Sequence, residues 1–547
     1  MSAALFYHPE AYTVSGPKLM GRHAAGESFL RGFLRHAQQD RFMVQVQKPE
    51  DAEGFKAAMQ DAGRSGEVAV VTRDNLPALG QVSAIFHPGP GLAEHALQRA
   101  LFGPGAWSLC GITHTTSSAG AMDSISALLT APVHEWDALI CTSHAVKANV
   151  TQLLQLQLNH LEQRLGATRF VLPQLPVIPL GVHVSDFDFE ADEKSLARTA
   201  LGITPDEVVV LFMGRLSFHA KAHPLAMYQA LEQAARNTHK RICLIECGWF
   251  ANDYIKAAFV EAAAQYAPSV RVLHVDGRSP SDKRQAWGSA DLFCSLSDNI
   301  QETFGIAPVE AMAAGIPSVV TDWDGYKDTI RDGIDGFRVP TTIPPAGLGA
   351  DLALRHALSI DTYDMYCGHS CSLIAVDVAA AAKAFTELVN SPSLRAQMGA
   401  AAKARAQSVF DWKPVIQQYE ALWQDLQSRR ASAQVEHKGW PARPDPFQVF
   451  GHYATQVLQP THELRCDWPD LATASAQLTQ LRALAMVKFA HLVIPSQDEC
   501  TAVLAHLIQG PATVASVCER FSASRQPFTY RGLVWMLKMN LIQHHGP

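Results

Sequence analysis

The stretch Glu302-Thr-Phe-Gly-Ile-Ala-Pro-Val-Glu310-Ala-Met-Ala-Ala-Gly315-Ile-Pro317 reads as a loop, one short helix and the entry to a strand. An apolar run of strand length, Asp291-Leu-Phe-Cys-Ser-Leu-Ser297, precedes it, and Ser318-Val-Val-Thr321 resumes a strand after it. Pro308 suits the first helical position and Gly315 the position just past the last turn. A helix starting here leaves the amides of Phe304, Gly305 and Ile306 without intrahelical acceptors and points the positive end of its dipole beyond the strand, which makes an anion site. Glu302 in the loop and Glu310 in the first turn then line one crevice at the carboxyl end of a parallel sheet, where open α/β sheets bind ligands. A reciprocal helix cap would also account for Glu310, and a solvated loop position for Glu302.

Around this stretch the second half repeats one pattern. Residues 208–213, 242–247, 270–275 and 292–297 are strand-like runs, each followed by a helical stretch, which predicts a doubly wound, Rossmann-like domain. Its first strand ends in Gly214-Arg215-Leu-Ser-Phe-His-Ala-Lys221, just before a helix expected from about residue 223. Gly214 permits close backbone approach, while Arg215 and Lys221 at a strand end face the crevice. The first half has the same alternation, with a strand at 3–7 and further runs at 41–46, 67–72, 82–87, 106–113 and 138–142. A polar loop, 10–22, leads into a helix expected over about 24–38, and Gly16, Gly21 and Gly26 flank that junction. Two histidines end strands: His87, read as structural, and His114, which follows the apolar 108–112 run and precedes Thr-Thr-Ser-Ser. A long helix over 145–165 is followed by Pro176-Val-Ile-Pro179-Leu-Gly181-Val, where the boundary between the halves is placed. Asp322-Trp-Asp-Gly325 and Asp332-Gly-Ile-Asp-Gly-Phe337 read as turn chemistry.

Two glutamates separated by seven residues, with Phe-Gly-Ile between them and Glu-Ala-Met-Ala-Ala-Gly following, resemble the signature of the family-4 retaining glycosyltransferases of the GT-B fold, the glycosyl transferases group 1. The resemblance covers roughly residues 1–428 and is most specific over 208–340. It implies two Rossmann-like domains facing a cleft, an acceptor-side domain over 1–180 and a nucleotide-sugar domain over 181–428 whose last helix crosses back. It implies a hexose moved from a nucleotide diphosphate sugar, of UDP-glucose or GDP-mannose type, to an acceptor hydroxyl. Arg215 and Lys221 then clamp the diphosphate, Glu302 and His114 face the sugar, and Glu310 bonds the ribose. The amides of Phe304, Gly305 and Ile306 approach sugar and diphosphate, and Gly21 belongs to a loop that closes over the donor. No protein nucleophile and no metal or other cofactor is required. The sequence departs from the pattern at Ala222 and Leu180, where glycine and asparagine are common, and lacks a glycine doublet near Gly21. A sucrose- or trehalose-synthase-like activity, a sugar phosphorylase, and a non-catalytic sugar-nucleotide sensor are compatible with the same residues.

At 547 residues the chain exceeds one core, and 48% hydrophobic against 18% charged residues argues against extended disorder. A net charge of −7 disfavours polyanion binding. No basic leader with an apolar core and no run of about 18 apolar residues is present, so a soluble, cytoplasmic protein with reduced thiols is expected. Cys367-Gly-His-Ser-Cys371 has metal-ligand chemistry but no partner pair at zinc-like spacing. Beyond a Pro-rich linker at 441–446, residues 447–547 form a helix-rich appendage in which 514–521 and 530–542 resemble the helical half of a winged-helix domain. Residues 430–547 hold ten Lys and Arg against eight Asp and Glu, scattered, so self-association or a protein partner is expected rather than nucleic acid.

Overall fold

The computed structural model describes residues 3–13, 21–433 and 439–546. The chain divides between Trp440 and Pro441 into two compact units. In the larger unit, six short apolar runs pair as one parallel sheet: β1 (Ala3–Tyr7), β2 (Phe42–Val46), β3 (Val68–Val71), β4 (Ala84–Phe86), β5 (Ser108–Ile112) and β6 (Ala138–Ile140), in the order β3-β2-β1-β4-β5-β6. Leu5 stands opposite both Val44 and Phe86, so β1 is central. Every residue of β1, β2, β5 and β6 is buried, as expected of strands covered on both faces. A second six-stranded sheet repeats the topology with β7 (Glu207–Met213), β8 (Arg241–Gly248), β9 (Val270–Asp276), β10 (Leu292–Ser295), β11 (Ser318–Thr321) and β12 (Gly336–Val339), ordered β12-β11-β10-β7-β8-β9. In both sheets strand order reverses beside the first strand, between β1 and β4 and between β7 and β10. A crevice opens at the carboxyl ends there.

The helix Trp412–Ser432 crosses back onto the first sheet's domain. Its Glu420 carboxylate accepts from the Gln38 amide at 2.9 Å, Ser83 Oγ donates to Gln427 at 2.7 Å, and Arg430 donates to the carbonyls of Val82 and Ser83. Phe29 packs on Trp412 and Tyr419, and Phe33 on Trp423, so one aromatic core joins the halves. Trp412 also lies against Gly181, where a Cβ would strike its ring.

Three boundaries differ from expectation. The stretch expected as a loop over 10–22 contains a helical turn, Pro9–Tyr12, and Gly21 is the first residue of the helix Gly21–His36 rather than a loop residue. Pro9 is pre-set for a first helical position, and glycine is tolerated at Gly21 because a helix start makes no intrahelical N–H bond. Gly16 and the rest of 14–20 lie outside the described residues. The signature helix is Ile306–Ala313, two residues earlier than Pro308 suggested. Pro308 sits in the first turn where its missing N–H is still an orphan, and Glu310 falls in the second turn. Between β12 and the helix Val378–Asn390 lies an insertion missed in the sequence: β13 (Thr341–Thr342) paired with β14 (Ala375–Val376), and the helices Ala350–Ala357 and Tyr363–Cys371.

The smaller unit has its own core, including Leu464, Leu478, Leu504, Val514 and Leu533. Helices Leu471–Ala483, Gln497–Leu507 and Gln526–Lys538 pack with a three-stranded antiparallel sheet, ordered β16-β15-β17, of β15 (Glu463–Arg465), β16 (Ala512–Thr513) and β17 (Gln543–His544). Among the described residues no helix is long and apolar enough to cross a membrane.

Candidate active site

The site gathers at the carboxyl ends of β7 and β10. Gly305 caps the signature helix at φ +87°, in the left-handed region, and a Cβ there would run into the Tyr326 ring, so only glycine fits. Phe304 is a core side chain packed on Phe410; what it and its neighbours offer the crevice is backbone amide, at the positive end of the helix dipole. Gly214, at φ +154°, turns the chain out of β7 into the loop carrying Arg215 and Lys221.

Lys221 Nζ lies 2.5 Å from Glu302 Oε2, with the side chains 29% and 12% exposed. Burial alone would raise the Glu302 carboxyl, but the Lys221 charge and hydrogen bond, with the Thr303 and Phe304 amides, outweigh it and hold Glu302 below its ordinary value. Arg215 Nη2 donates to the Ala220 carbonyl at 2.7 Å and to Gln301 Oε1 at 3.4 Å, which folds its loop over the crevice. The first domain reaches the same place: Thr303 Oγ1 donates to the His114 carbonyl at 3.1 Å, and Ser143 Oγ to the Thr303 carbonyl at 2.8 Å. Arg215, Lys221, Glu302, the amides of Phe304, Gly305 and Ile306, and the His114 loop are thus brought together.

Glu310 makes no cap; its carboxylate faces Lys283 Nζ on the helix Pro280–Ser289 at 3.5 Å, and that charge raises the Lys283 ammonium against the opposing effect of burial. Gly21 opens its helix next to the undescribed 14–20.

Several residues of the site escaped the sequence reading. Lys283 is a third cation on the crevice, spaced like any helix-face lysine. Asp298, just past β10, accepts from the His223 amide at 3.2 Å and is pushed up to about 7 by burial. Asp324, read as turn chemistry, adopts φ +43° and is raised to about 8, first by burial and then by the charge of Glu302. Tyr363, from the insertion, sets its phenol 2.8 Å from Ser117 Oγ and 3.2 Å from Thr115 Oγ1 in the hydroxyl run after His114. The Cys367-to-Cys371 motif lies on that same helix: both thiols are buried, His369 turns to Asp361 at 3.0 Å, and among the described residues no cluster of His, Cys, Asp or Glu is arranged to hold a metal.

Residues 193–351 match the sequence model of the family described as glycosyl transferases group 1. This part of the chain is similar to the glycosyl transferases group 1. It contains Gly214, Arg215, Lys221, Lys283, Glu302, Gly305 and Glu310. His114, Gly21 and Tyr363 lie outside it. A D-inositol 3-phosphate glycosyltransferase of Nocardia farcinica is 28% identical over 168 residues, 30% of this chain and 36% of that protein. One from Mycobacterium sp. (strain KMS) is 30% identical over 167 residues, with the same shares. The chain therefore spans about a third of the length of the curated relatives it matches. A crystal structure of Anabaena HepE in complex with UDP covers 78% of this chain and all of its own, with a TM-score of 0.51 at 17% identity, a likeness of fold. The matched segment sits in a GT-B architecture of two Rossmann-like domains.

Proposed function

We propose that the protein is a retaining glycosyltransferase that moves a hexose from a nucleotide diphosphate sugar to an acceptor hydroxyl. The observation that carries this reading is the Lys221–Glu302 pair at the mouth of the signature helix, flanked by Arg215. It sets two cations and a helix N-terminus where a diphosphate would lie, and a carboxylate where sugar hydroxyls would lie. The family match over this segment and the relatives' description as D-inositol 3-phosphate glycosyltransferases support it.

In this scheme the acceptor oxygen bonds to the anomeric carbon while the bond from that carbon to the diphosphate oxygen breaks. The electron pair leaves with the diphosphate, and a diphosphate oxygen takes the acceptor's proton. Arg215, Lys221 and the amides of Gly305 and Ile306 stabilise the charge that grows on the leaving group. Glu302 and His114 orient the sugar, and Glu310, held by Lys283, takes the ribose hydroxyls. Fixed cations carry the neutralisation, so turnover is expected to survive EDTA; activity that vanishes and returns with Mg²⁺ or Mn²⁺ would contradict the scheme.

A thermal-shift panel of UDP-, GDP- and ADP-sugars tests the donor, because a ligand specific to the native state raises stability as RT ln(1 + [L]/Kd). One nucleotide series should stabilise the protein, and NMR of the product should show the donor's anomeric configuration. An inverted product would overturn the retaining assignment.

A further inference from the structure

The first domain grips the signature loop at one residue, Thr303. Its Oγ1 donates to the His114 carbonyl at 3.1 Å, while its carbonyl accepts from Ser143 Oγ at 2.8 Å and from Thr142 Oγ1 at 3.5 Å. Its amide donates to Glu302 Oε1 at 3.4 Å, so whatever fixes Thr303 also fixes that carboxylate. Ser143 in turn caps the helix His144–Leu165, accepting from the Val146 amide at 3.2 Å, and Asp324 Oδ1 stands 3.5 Å from the same serine oxygen. We infer that Asp324 is a positioning residue: its carboxyl acts through Ser143 on Thr303, holds Glu302 in place, and so sets how well the crevice retains the sugar half of a nucleotide sugar. The inference rests on the glycosyltransferase reading and deepens it.

A serine hydroxyl has one hydrogen to give and two lone pairs. The Ser143 hydrogen goes to the nearer acceptor, the Thr303 carbonyl, and one lone pair takes the Val146 amide. Only a lone pair is left to face Asp324, so two oxygens would repel there unless Asp324 supplies the proton. A neutral Asp324 completes a chain from its O–H through the Ser143 O–H to the Thr303 carbonyl, in which each bond polarises the next. The surrounding charges favour the same state. The positive end of the helix His144–Leu165 already holds a carboxylate, because the His144 amide donates to Asp328 Oδ2 at 2.7 Å and His144 Nδ1 lies 3.1 Å from that oxygen. Lys221 is engaged by Glu302, Arg405 by the Asp328 carbonyl, and the Tyr326 phenol by Ser295. Burial first, then the Glu302 charge, outweigh what the Gly325 amide and the Ser143 hydroxyl offer a carboxylate and push Asp324 up to about 8, with Asp328 adding to the rise. The backbone of Asp324 sits at φ +43°, a conformation glycine adopts at less cost, so the turn itself does not call for a carboxyl.

Asp324→Gly and Asp324→Asn separate the carboxyl from the turn. Glycine suits the backbone and removes the donor, whereas asparagine keeps a donor that does not ionise. Titration calorimetry on the full chain, with UDP against UDP-glucose and GDP against GDP-mannose, gives the sugar preference as the ratio of the two dissociation constants. For the pair that binds, the wild-type preference at about pH 7 should fall about tenfold in Asp324→Gly and in Ser143→Ala, with affinity for the bare nucleotide within about twofold. Raising the pH to about 9 should lower the wild-type preference about fivefold and leave that of Asp324→Asn within about twofold of its wild-type value at pH 7. The comparison of wild type with Asp324→Asn decides the matter even if the other variants melt lower. A wild-type preference in a folded Asp324→Gly or Ser143→Ala protein, a loss in Asp324→Asn at pH 7, or an equal alkaline loss in Asp324→Asn each overturns the inference and leaves the donor reading standing. A wild type that binds a nucleotide without preferring its sugar form overturns it as well. A wild type that binds none of the four probes overturns the donor reading and the inference with it.

Discussion

Lys221 and Glu302 neutralise each other at the mouth of the signature helix, so on the proposed reading a donor diphosphate competes with a carboxylate for the same ammonium. Lys221→Ala therefore has two separable effects. It removes a cation where leaving-group charge grows, and is expected to lower turnover about 100- to 1000-fold, with a smaller loss of donor affinity. It also leaves a mostly buried carboxylate unpaired, which costs about 1–3 kcal/mol of stability. Adding Glu302→Gln should restore most of that stability in urea melts while turnover stays low; recovery of turnover would mean that the lysine only neutralises the glutamate. Glu310→Ala, free of any capping role, should raise donor KM more than it lowers kcat and leave the melting temperature nearly unchanged. Asp324 provides a pH signature. Its folded value of about 8 lies above the ordinary 3.8, so the native state binds the extra proton between those limits, and stability falls as pH rises from about 4 to about 8. Asp324→Asn should abolish that part of the slope, raising stability near pH 8 by about 1–2 kcal/mol because the group is only partly buried, and changing little at pH 4. Equal gains at both pH values would refute the raised carboxyl.

At the scale of elements, the insertion between β12 and the helix Val378–Asn390 braces the Arg215–Lys221 loop. Gly368 on the helix Tyr363–Cys371 packs against His219 in the Arg215–Lys221 loop, where a Cβ would come within 2.9 Å of the His219 Cβ, and Tyr363 reaches over to Ser117. A phenol bridging the loop after His114 and an element resting on the Arg215–Lys221 loop couples the two sides of the crevice. Tyr363→Phe and Ser117→Ala should each reduce kcat several-fold with little change in donor KM, and their effects should be coupled by about 0.5–1.5 kcal/mol in a double-mutant cycle. Fully additive effects would show that the bridge is not shared. This element was illegible in the sequence for a physical reason: its strands are two residues long, and the helix Ala350–Ala357 buries no residue, so no apolar period marks it. Most of the sheet strands were legible because burial on both faces makes them continuous apolar runs bounded by polar turns, whereas β12, a half-buried Gly-Phe-Arg-Val behind two Asp-Gly turns, is not such a run. The signature helix was legible in kind but not in start, because Pro308 fits any of the first-turn positions and the deciding feature, the left-handed Gly305, is a backbone angle. Arg215, Lys221 and Glu302 announced themselves by standing at strand ends. Lys283 and Asp324 did not, since a helix-face lysine and an Asp-Gly turn look ordinary until folding places them beside Glu310 and Glu302.

For the whole molecule, the question is what the smaller unit contributes. Its core closes around Leu464, Leu504 and Leu533, and the division after Trp440 falls where the chain passes from one compact unit to the next. Within it Met486, Phe489 and Leu492 are 79%, 79% and 78% exposed, an apolar cluster unusual for a surface with no partner. Its nearly balanced charge suits the proposed protein partner, a second copy of the chain among the candidates, better than it suits nucleic acid. On that proposal, removing residues 441–547 should leave nucleotide affinity within about twofold, because every residue proposed for the donor side belongs to the larger unit, and should reduce the molecular mass seen by light scattering to that of a single chain. Phe489→Asp in the full-length protein should reproduce the dissociation without removing the fold, as a charge placed in an apolar contact opposes burial. If the truncated protein keeps its assembly state yet loses nucleotide affinity while still melting cooperatively, the smaller unit belongs to the active site, and the division of labour argued from the two cores fails.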